Sequence, residues 1–266
     1  MPEGHTIHRL ARDQTRLFGG RTVHASSPQG RFEDGAARIA GHALTRIRPY
    51  GKHLFYAFSG VGDRLHVHLG LYGKFRAGGQ PAPAPRGALR LRFETADAYA
   101  DLRGPTACEL LSPPEVTAIL ARLGPDPLDT KADPQAAWSR LSRSRRPVGA
   151  LLMDQSVLAG VGNVYRAEVL FRAAVDPYRP GTAIAEAEWD GMWTDLVGLM
   201  RKGVRSGAIV TTEPHDRQRR SGPARADDRT YVYRRAGLPC RVCGTEVQTA
   251  DMVARRLYWC PSCQFR

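Results

Sequence analysis

Asp154-Gln155-Ser156-Val157-Leu158-Ala159-Gly160-Val161-Gly162-Asn163 is a glycine-containing connection between two stretches of helical character, 148–154 and 164–173. Two helices joined this way form a helix-turn-helix, a unit that often meets nucleic acid. Asn163 stands where it would cap the second helix. Backbone amides at such a terminus lie at the positive end of the helix dipole and bind phosphate readily. Arg143, Arg145 and Arg146, just upstream, add charge at the same end. From the residues alone, capping is the simpler role for Asn163.

Downstream, Trp189, Met192, Trp193, Leu196, Val197 and Met200 fall three and four apart, an amphipathic helical stripe whose tryptophans belong to a core. Residues 211–230 are polar, rich in Arg, Asp and Gly, and lack apolar periodicity, which predicts a mobile loop. Next come Cys240-Arg241-Val242-Cys243 and Cys260-Pro261-Ser262-Cys263, with sixteen residues between the pairs. That spacing matches a four-cysteine zinc site. Four thiolates leave no open coordination position, so a single structural Zn2+ is expected to hold the fold without doing chemistry. Between the pairs, the strand-like run 253–259 carries Arg255 and Arg256, placed either to meet a phosphate or to face solvent. Cys108 stands apart as a buried or inert thiol.

Upstream, Gly124-Pro125-Asp126-Pro127 marks a change of composition and a domain boundary. Before it the chain is mixed and mainly β. A helix is expected over 4–16, where Ile7, Leu10 and Ala11 share a face. Short strand-like runs such as 54–58 and 89–93 follow, separated by glycine and proline, as in a sandwich or barrel. The Pro-, Ala- and Gly-rich stretch 78–86 reads as an exposed loop. The expected class is an α+β multidomain protein: a β domain over 1–125, a helical domain over 126–230 and a cysteine module over 231–266.

The 266 residues are 42% hydrophobic and 24% charged, with a formal net charge of +13. Such a surface favours encounter with polyanions. No apolar run approaches the length of a membrane span. Met1-Pro2-Glu3-Gly4-His5 lacks the features of a signal peptide, so a cytoplasmic location, nucleoid-associated if DNA is the partner, is expected. Only four of the 39 basic residues are lysines: Lys52, Lys74, Lys131 and Lys202. Pro2 is compatible with removal of Met1, which would free a secondary amine. Amines form Schiff bases with carbonyl carbons, and a proline iminium keeps a positive charge that draws electrons from neighbouring bonds. A helix end beside that amine would disfavour its protonated form, and Glu3 could shuttle protons. Taken alone, Met-Pro is also a common way for a chain to begin.

Met1-Pro2-Glu3-Gly4, Gly51-Lys52, the 155–163 connection and Arg255 followed by Cys260-Pro261-Ser262-Cys263-Gln264 occur in this order. Together they resemble the formamidopyrimidine-DNA glycosylase and endonuclease VIII family, across essentially the whole chain. Gly160-Val161-Gly162-Asn163-Val164-Tyr165 is similar to its helix–two-turn–helix motif. The resemblance implies an N-terminal β-sandwich flanked by helices, a helical helix–two-turn–helix domain and a C-terminal four-cysteine zinc finger, with DNA in the cleft between. It implies base-excision repair by a glycosylase with lyase activity (β,δ-elimination), acting as a monomer on damaged double-stranded DNA.

By the same resemblance, Pro2 attacks the sugar C1′ and Glu3 donates the proton that assists base release. Lys52 is a proton donor in β-elimination, and Arg255 serves δ-elimination and phosphate binding. Asn163 holds a phosphate near the lesion; separately from the resemblance, the charge upstream of the connection makes Arg146 a candidate DNA contact. A target base must leave the stack, and Leu71-Tyr72-Gly73 looks like the wedge that fills its place. The opening Met-Pro-Glu-Gly favours the endonuclease VIII-like branch and oxidised pyrimidines. This chain departs from the family at Thr6, often a glutamate, at His5, commonly proline, and at Gly70, a wedge glutamine in some members. Asp101-Leu102-Arg103-Gly104 lacks the paired arginines of the purine branch. The alternatives are a purine-specific member and a non-catalytic damaged-DNA-binding protein.

Overall fold

A computed structural model of the chain describes residues 2–265; the expected loss of Met1 lies outside the described residues. Two compact units divide the chain, Met1–Arg122 and Leu123–Arg266.

The first unit opens with α1 (Gly4–Phe18), whose buried residues Ile7, Ala11, Gln14 and Phe18 recur every three or four positions. β1 (His24–Ser26), α2 (Glu33–Ile39), β2 (Leu44–Tyr50), β3 (His53–Phe58), β4 (Arg64–His68), β5 (Lys74–Gly79), β6 (Leu89–Glu94), β7 (Ala98–Arg103), β8 (Ala107–Leu111) and α3 (Pro113–Ala121) follow. The strands form two antiparallel sheets, ordered β1-β6-β7-β5 and β2-β3-β4-β8. Alternation along each strand sends one face inward. Phe93 of the first sheet meets Tyr56 and Phe58 of the second, with ring centroids 5.9 and 6.0 Å apart. This is the expected β-sandwich. Phe18 of α1 reaches the same ring at 6.2 Å. The buried Tyr56 hydroxyl donates to Gln14 Oε1 at 3.0 Å, satisfying the polar end of a ring that otherwise serves the core.

Asp101, in the stretch that lacks paired arginines, has a structural task. Its buried carboxylate takes two hydrogen bonds from Arg92 across the strand pair, at 2.6 and 2.9 Å, and one from Arg103. Cys108 is buried as expected, and burial pushes its thiol up to about 12.

The second unit contains α4 (Pro134–Leu141), α5 (Val148–Leu151), α6 (Asn163–Arg172), α7 (Glu186–Ser206) and the hairpin of β9 (Gln248–Met252) and β10 (Arg255–Trp259). Trp189, Met192, Leu196 and Met200 of α7 are buried against Val161, Tyr165 and Val169, so the stripe is core. α7 ends at Gly207, whose φ of 77° is the left-handed conformation that suits glycine. α5 is shorter than expected because Asp154 is drawn into the following turn, where its carboxylate accepts from Ser156 N and Oγ.

The segment 211–230 is tethered rather than mobile throughout. Glu168 of α6 is fully buried, and its carboxylate accepts from the backbone N–H groups of Tyr231, Val232 and Tyr233 at 2.7–2.9 Å and from the Thr211 hydroxyl. Thr211 and Thr212 are buried as well. Asp228 is also buried, accepting from Gln218 N, Arg219 N and Arg241. Among the described residues, no helix is long and apolar enough to cross a membrane.

Candidate active site and metal centre

Glu3 is the N-cap of α1. Its backbone is extended and its carbonyl oxygen accepts from Thr6 N at 2.9 Å. Its side chain is completely buried, and Pro2 is half-buried beside it. An acid and a ring nitrogen thus stand together at the positive end of a 15-residue helix. That field opposes protonation of an amine. His5, where the family commonly has proline, is buried in the first turn, with Nε2 3.2 Å from Thr6 Oγ1. Burial, then the positive charges of the amino terminus and Arg9, bring its pKa down to about 4, so the imidazole is neutral at pH 7.

Lys52 lies in the tight turn between β2 and β3, where Gly51 has a φ of 56°. Beside it, the outer face of the second sheet carries His53, His66 and His68, which sequence reading passed over. His53 stacks near His66 and His68, with centroids 5.1 and 4.8 Å apart, and His66 pairs with Glu109 at 3.0 Å. The signal was there as the alternation His66-Val67-His68, one polar face of a strand.

After β4 the chain makes a sharp protrusion. Gly70 has a φ of 65°, and a Cβ there would sit 1.8 Å from Thr106 Oγ1, so this chain has no room for a wedge glutamine at that position. Gly73 N returns to Leu69 O at 2.9 Å. Between them Leu71 and Tyr72 project, 45% and 82% exposed, while Leu69 is buried as their anchor. They are neither core nor turn packing.

In the second unit, Gln155 closes the helix connection. Its Nε2 donates to Met153 O and Val161 O at 3.0 and 2.9 Å, and its Oε1 accepts from Gly160 N at 3.0 Å. Asn163 does not cap α6: the N-cap is Gly162, and Asn163 is the first helical residue, buried. Its Nδ2 instead donates to Arg256 O at 2.8 Å, and its Oδ1 accepts from the buried Arg166. Arg166 also donates to Arg256 O and Met252 O. α6 therefore grips the main chain of the β9–β10 hairpin from both sides of its tip. Arg255 is exposed on that tip, donating to Ala254 O at 2.8 Å. Val253 and Ala254 both have left-handed backbones, with φ of 53° and 52°. Arg146 is half-exposed and pairs with Asp154 at 2.8 Å. Although burial opposes it, hydrogen bonds from Ser156 and Arg146 hold the Asp154 carboxyl below its ordinary value.

The sulfur atoms of Cys240, Cys243, Cys260 and Cys263 all lie within 4.8 Å of one another, with Cys240–Cys263 at 3.9 Å and Cys243–Cys260 at 3.5 Å. Sulfurs around a tetrahedral zinc at about 2.3 Å are about 3.8 Å apart. The donor set fits one structural Zn2+. Hydrogen bonding from Thr245 brings the Cys243 thiol down to about 6, whereas burial pushes Cys260 and Cys263 up. Ionising all four together calls for a cation among them.

Residues 1–108 match the formamidopyrimidine-DNA glycosylase N-terminal domain, residues 123–214 its H2TH domain, and residues 237–264 the zinc finger found in FPG and IleRS. The chain is 54% identical to endonuclease 8 1 of Mycobacterium tuberculosis, over 99% of this chain and 100% of that protein. It is 33% identical to formamidopyrimidine-DNA glycosylase of Thermus thermophilus, over 99% and 98% respectively. The fold resembles Lactococcus lactis Fpg solved in complex with DNA containing an abasic site, with a TM-score of 0.81 and 22% identity over 99% of this chain and 100% of that one. With its sandwich, helix–two-turn–helix and four-cysteine finger, the chain belongs to the formamidopyrimidine-DNA glycosylase and endonuclease VIII family of base-excision-repair glycosylases with abasic-site lyase activity.

Proposed function

We propose that Pro2, once Met1 is removed, is the nucleophile of this glycosylase/lyase and that Glu3 is its acid. The observation that carries this reading is the burial of Glu3 as N-cap of α1, with Pro2 directly ahead of it. The amine attacks C1′, the glycosidic bond breaks, and the base leaves with a proton. Opening of the sugar ring gives an iminium. Its charge withdraws electrons, so a C2′ proton is lost and the 3′ C–O bond breaks; a second elimination releases the 5′ phosphate.

Lys52 supplies a proton in β-elimination and Arg255 assists δ-elimination at the phosphate. Asn163 acts near the lesion phosphate, both through its own amide and by fixing the hairpin that carries Arg255. Arg146 adds a phosphate contact by exchanging its Asp154 partner. Leu71 and Tyr72 fill the space of the flipped base, a role their exposure supports. The substrate is damaged double-stranded DNA, bound by a monomer in the cytoplasm. Three domains, 1–125, 126–230 and 231–266, divide the work; the matched family segments are consistent with this division.

Oxidised pyrimidines are the preferred lesions, a reading supported by the 54% identity to a protein named endonuclease 8 1. The 33% relative named formamidopyrimidine-DNA glycosylase favours a second reading, purine lesions. Cleavage of thymine glycol compared with 8-oxoguanine duplexes decides between them. Borohydride added during reaction should trap a covalent adduct whose peptide maps to Pro2, in protein whose intact mass lacks Met1. Tight binding of damaged DNA with no adduct and no scission would mean a non-catalytic binding protein.

A further inference from the structure

Strand alternation sends Leu54, Tyr56, Leu65, Val67 and Cys108 into the sandwich and therefore puts His53, His66, His68 and Glu109 on the opposite face. The register sets His53 opposite His68, and His66 opposite both Phe55 and Glu109. Two hydrogen bonds link three of these side chains in series: His53 Nδ1 to His66 Nε2 at 2.9 Å, and His66 Nδ1 to Glu109 Oε1 at 3.0 Å. Phe55 stacks on His66 at 5.1 Å and fixes its plane.

An ionised carboxylate only accepts hydrogen bonds, and a neutral imidazole has one donor and one acceptor. The proton positions along the chain follow. His66 donates through Nδ1 to Glu109, so its Nε2 accepts. His53 then donates through Nδ1, which makes its Nε2 the acceptor. One end of the chain is Glu109, whose side chain is half exposed. The other is the residue that follows Lys52, and the Lys52 charge acts on both His53 and His68. His53 also faces His66, His68 and Arg122, and His68 faces His66. Burial, ahead of these charges, keeps all three rings neutral, bringing His53 down to about 3.

We propose that Glu109, His66 and His53 form a proton relay through which Lys52 exchanges protons with solvent during the elimination steps. The relay rests on Lys52 being the proton carrier of those steps. A proton leaving the Lys52 ammonium passes to a bridging water, and that water gives one of its own to His53 Nε2 as the His53 Nδ1–H bond breaks. The proton released from His53 Nδ1 bonds to His66 Nε2 as the His66 Nδ1–H bond breaks, and Glu109 Oε1 takes the last one and passes it to water. One proton enters and one leaves, each ring changes tautomer, and no buried imidazolium forms. The reverse passage reloads Lys52.

The test uses full-length, zinc-loaded protein and a duplex bearing one abasic site, in single turnover. Glu109→Gln and His66→Gln should each slow strand scission by about tenfold in dilute buffer, within what proton transfer contributes. Millimolar imidazole should restore the rate, while wild type stays indifferent to buffer concentration. Borohydride trapping at Pro2 should proceed at the wild-type rate in both variants, because the relay acts after the Schiff base forms. A merely structural cluster would lower the melting temperature and give a loss that imidazole does not restore. That result, or an unchanged scission rate in dilute buffer, overturns the relay. Absence of a trapped adduct in wild type would instead sink the Pro2 mechanism, and the relay with it.

Discussion

Replacing Glu168 with alanine takes away the carboxylate on which four donors converge: the Thr211 hydroxyl and the backbone amides of Tyr231, Val232 and Tyr233. The site is completely buried. A buried donor left without an acceptor costs about 1–3 kcal/mol. Four such costs do not simply add, since the vacated volume admits some relaxation and water. A loss of about 4 kcal/mol is expected, the low end of that sum. At about 2–4 °C per kcal/mol for a chain of this size, the melting temperature should fall by about 8–16 °C. Glu168→Gln should lose about half as much. Its amide oxygen can serve Val232 and Tyr233, and the Thr211 hydroxyl can turn to accept from its NH2, which leaves the Tyr231 amide as the donor without an acceptor. Calorimetry gives the magnitude, and hydrogen exchange read at Tyr231, Val232 and Tyr233 gives the location. An alanine variant that melts within about 2 °C of wild type, with those amides still protected, would refute the anchor.

Other outcomes follow from the same contacts. His5 binds its proton only near pH 4 when folded but near pH 6.5 when unfolded, so the stability tied to its neutral form is complete above pH 6.5 and is lost as pH falls towards 4. His5→Gln should flatten the stability–pH curve in that window by up to about 3 kcal/mol, measured by urea unfolding at several pH values. Metal analysis should return one zinc per chain, and a chelator or Cys260→Ser should abolish it while lowering the melting transition of the second unit. Tyr72→Ala should change stability by no more than about 0.5 kcal/mol, because the ring is 82% exposed. The same variant should slow base release from duplex DNA more than scission at a preformed abasic site; equal effects on both would remove Tyr72 from the wedge.

Much of this molecule is legible in its sequence where a local rule and the fold agree. The two Cys-x-x-Cys pairs state a metal site by spacing alone, and the stripe from Trp189 to Met200 states a buried helix by periodicity. α1 announces itself through Ile7 and Ala11. Legibility ends where distant segments decide. Asn163 has the composition of a cap, yet its amide is claimed by Arg256, 93 positions away. Residues 211–230 carry no apolar period, yet Glu168 holds Thr211 and the backbone just past the segment while Asp228 holds Gln218 and Arg219, through hydrogen bonds that leave no mark in hydropathy. Asp154 looks like the end of a helix but folds back to serve Ser156. The histidines of the outer sheet face escaped notice because their chemistry depends on strand register, which no single strand reveals.

The tip of the zinc hairpin depends on the helix that holds it. A two-residue turn of this hand ordinarily carries Asn-Gly, and L side chains in left-handed backbone cost on the order of 1 kcal/mol or more apiece. Val253 and Ala254 accept that conformation while α6 clasps the neighbouring carbonyls of Met252 and Arg256. A synthetic finger peptide spanning 237–264, even fully metallated, lacks the clasp and should relax at its apex. Its arginine would then point elsewhere, making such a peptide a poor surrogate for the intact enzyme in screens for finger-directed inhibitors.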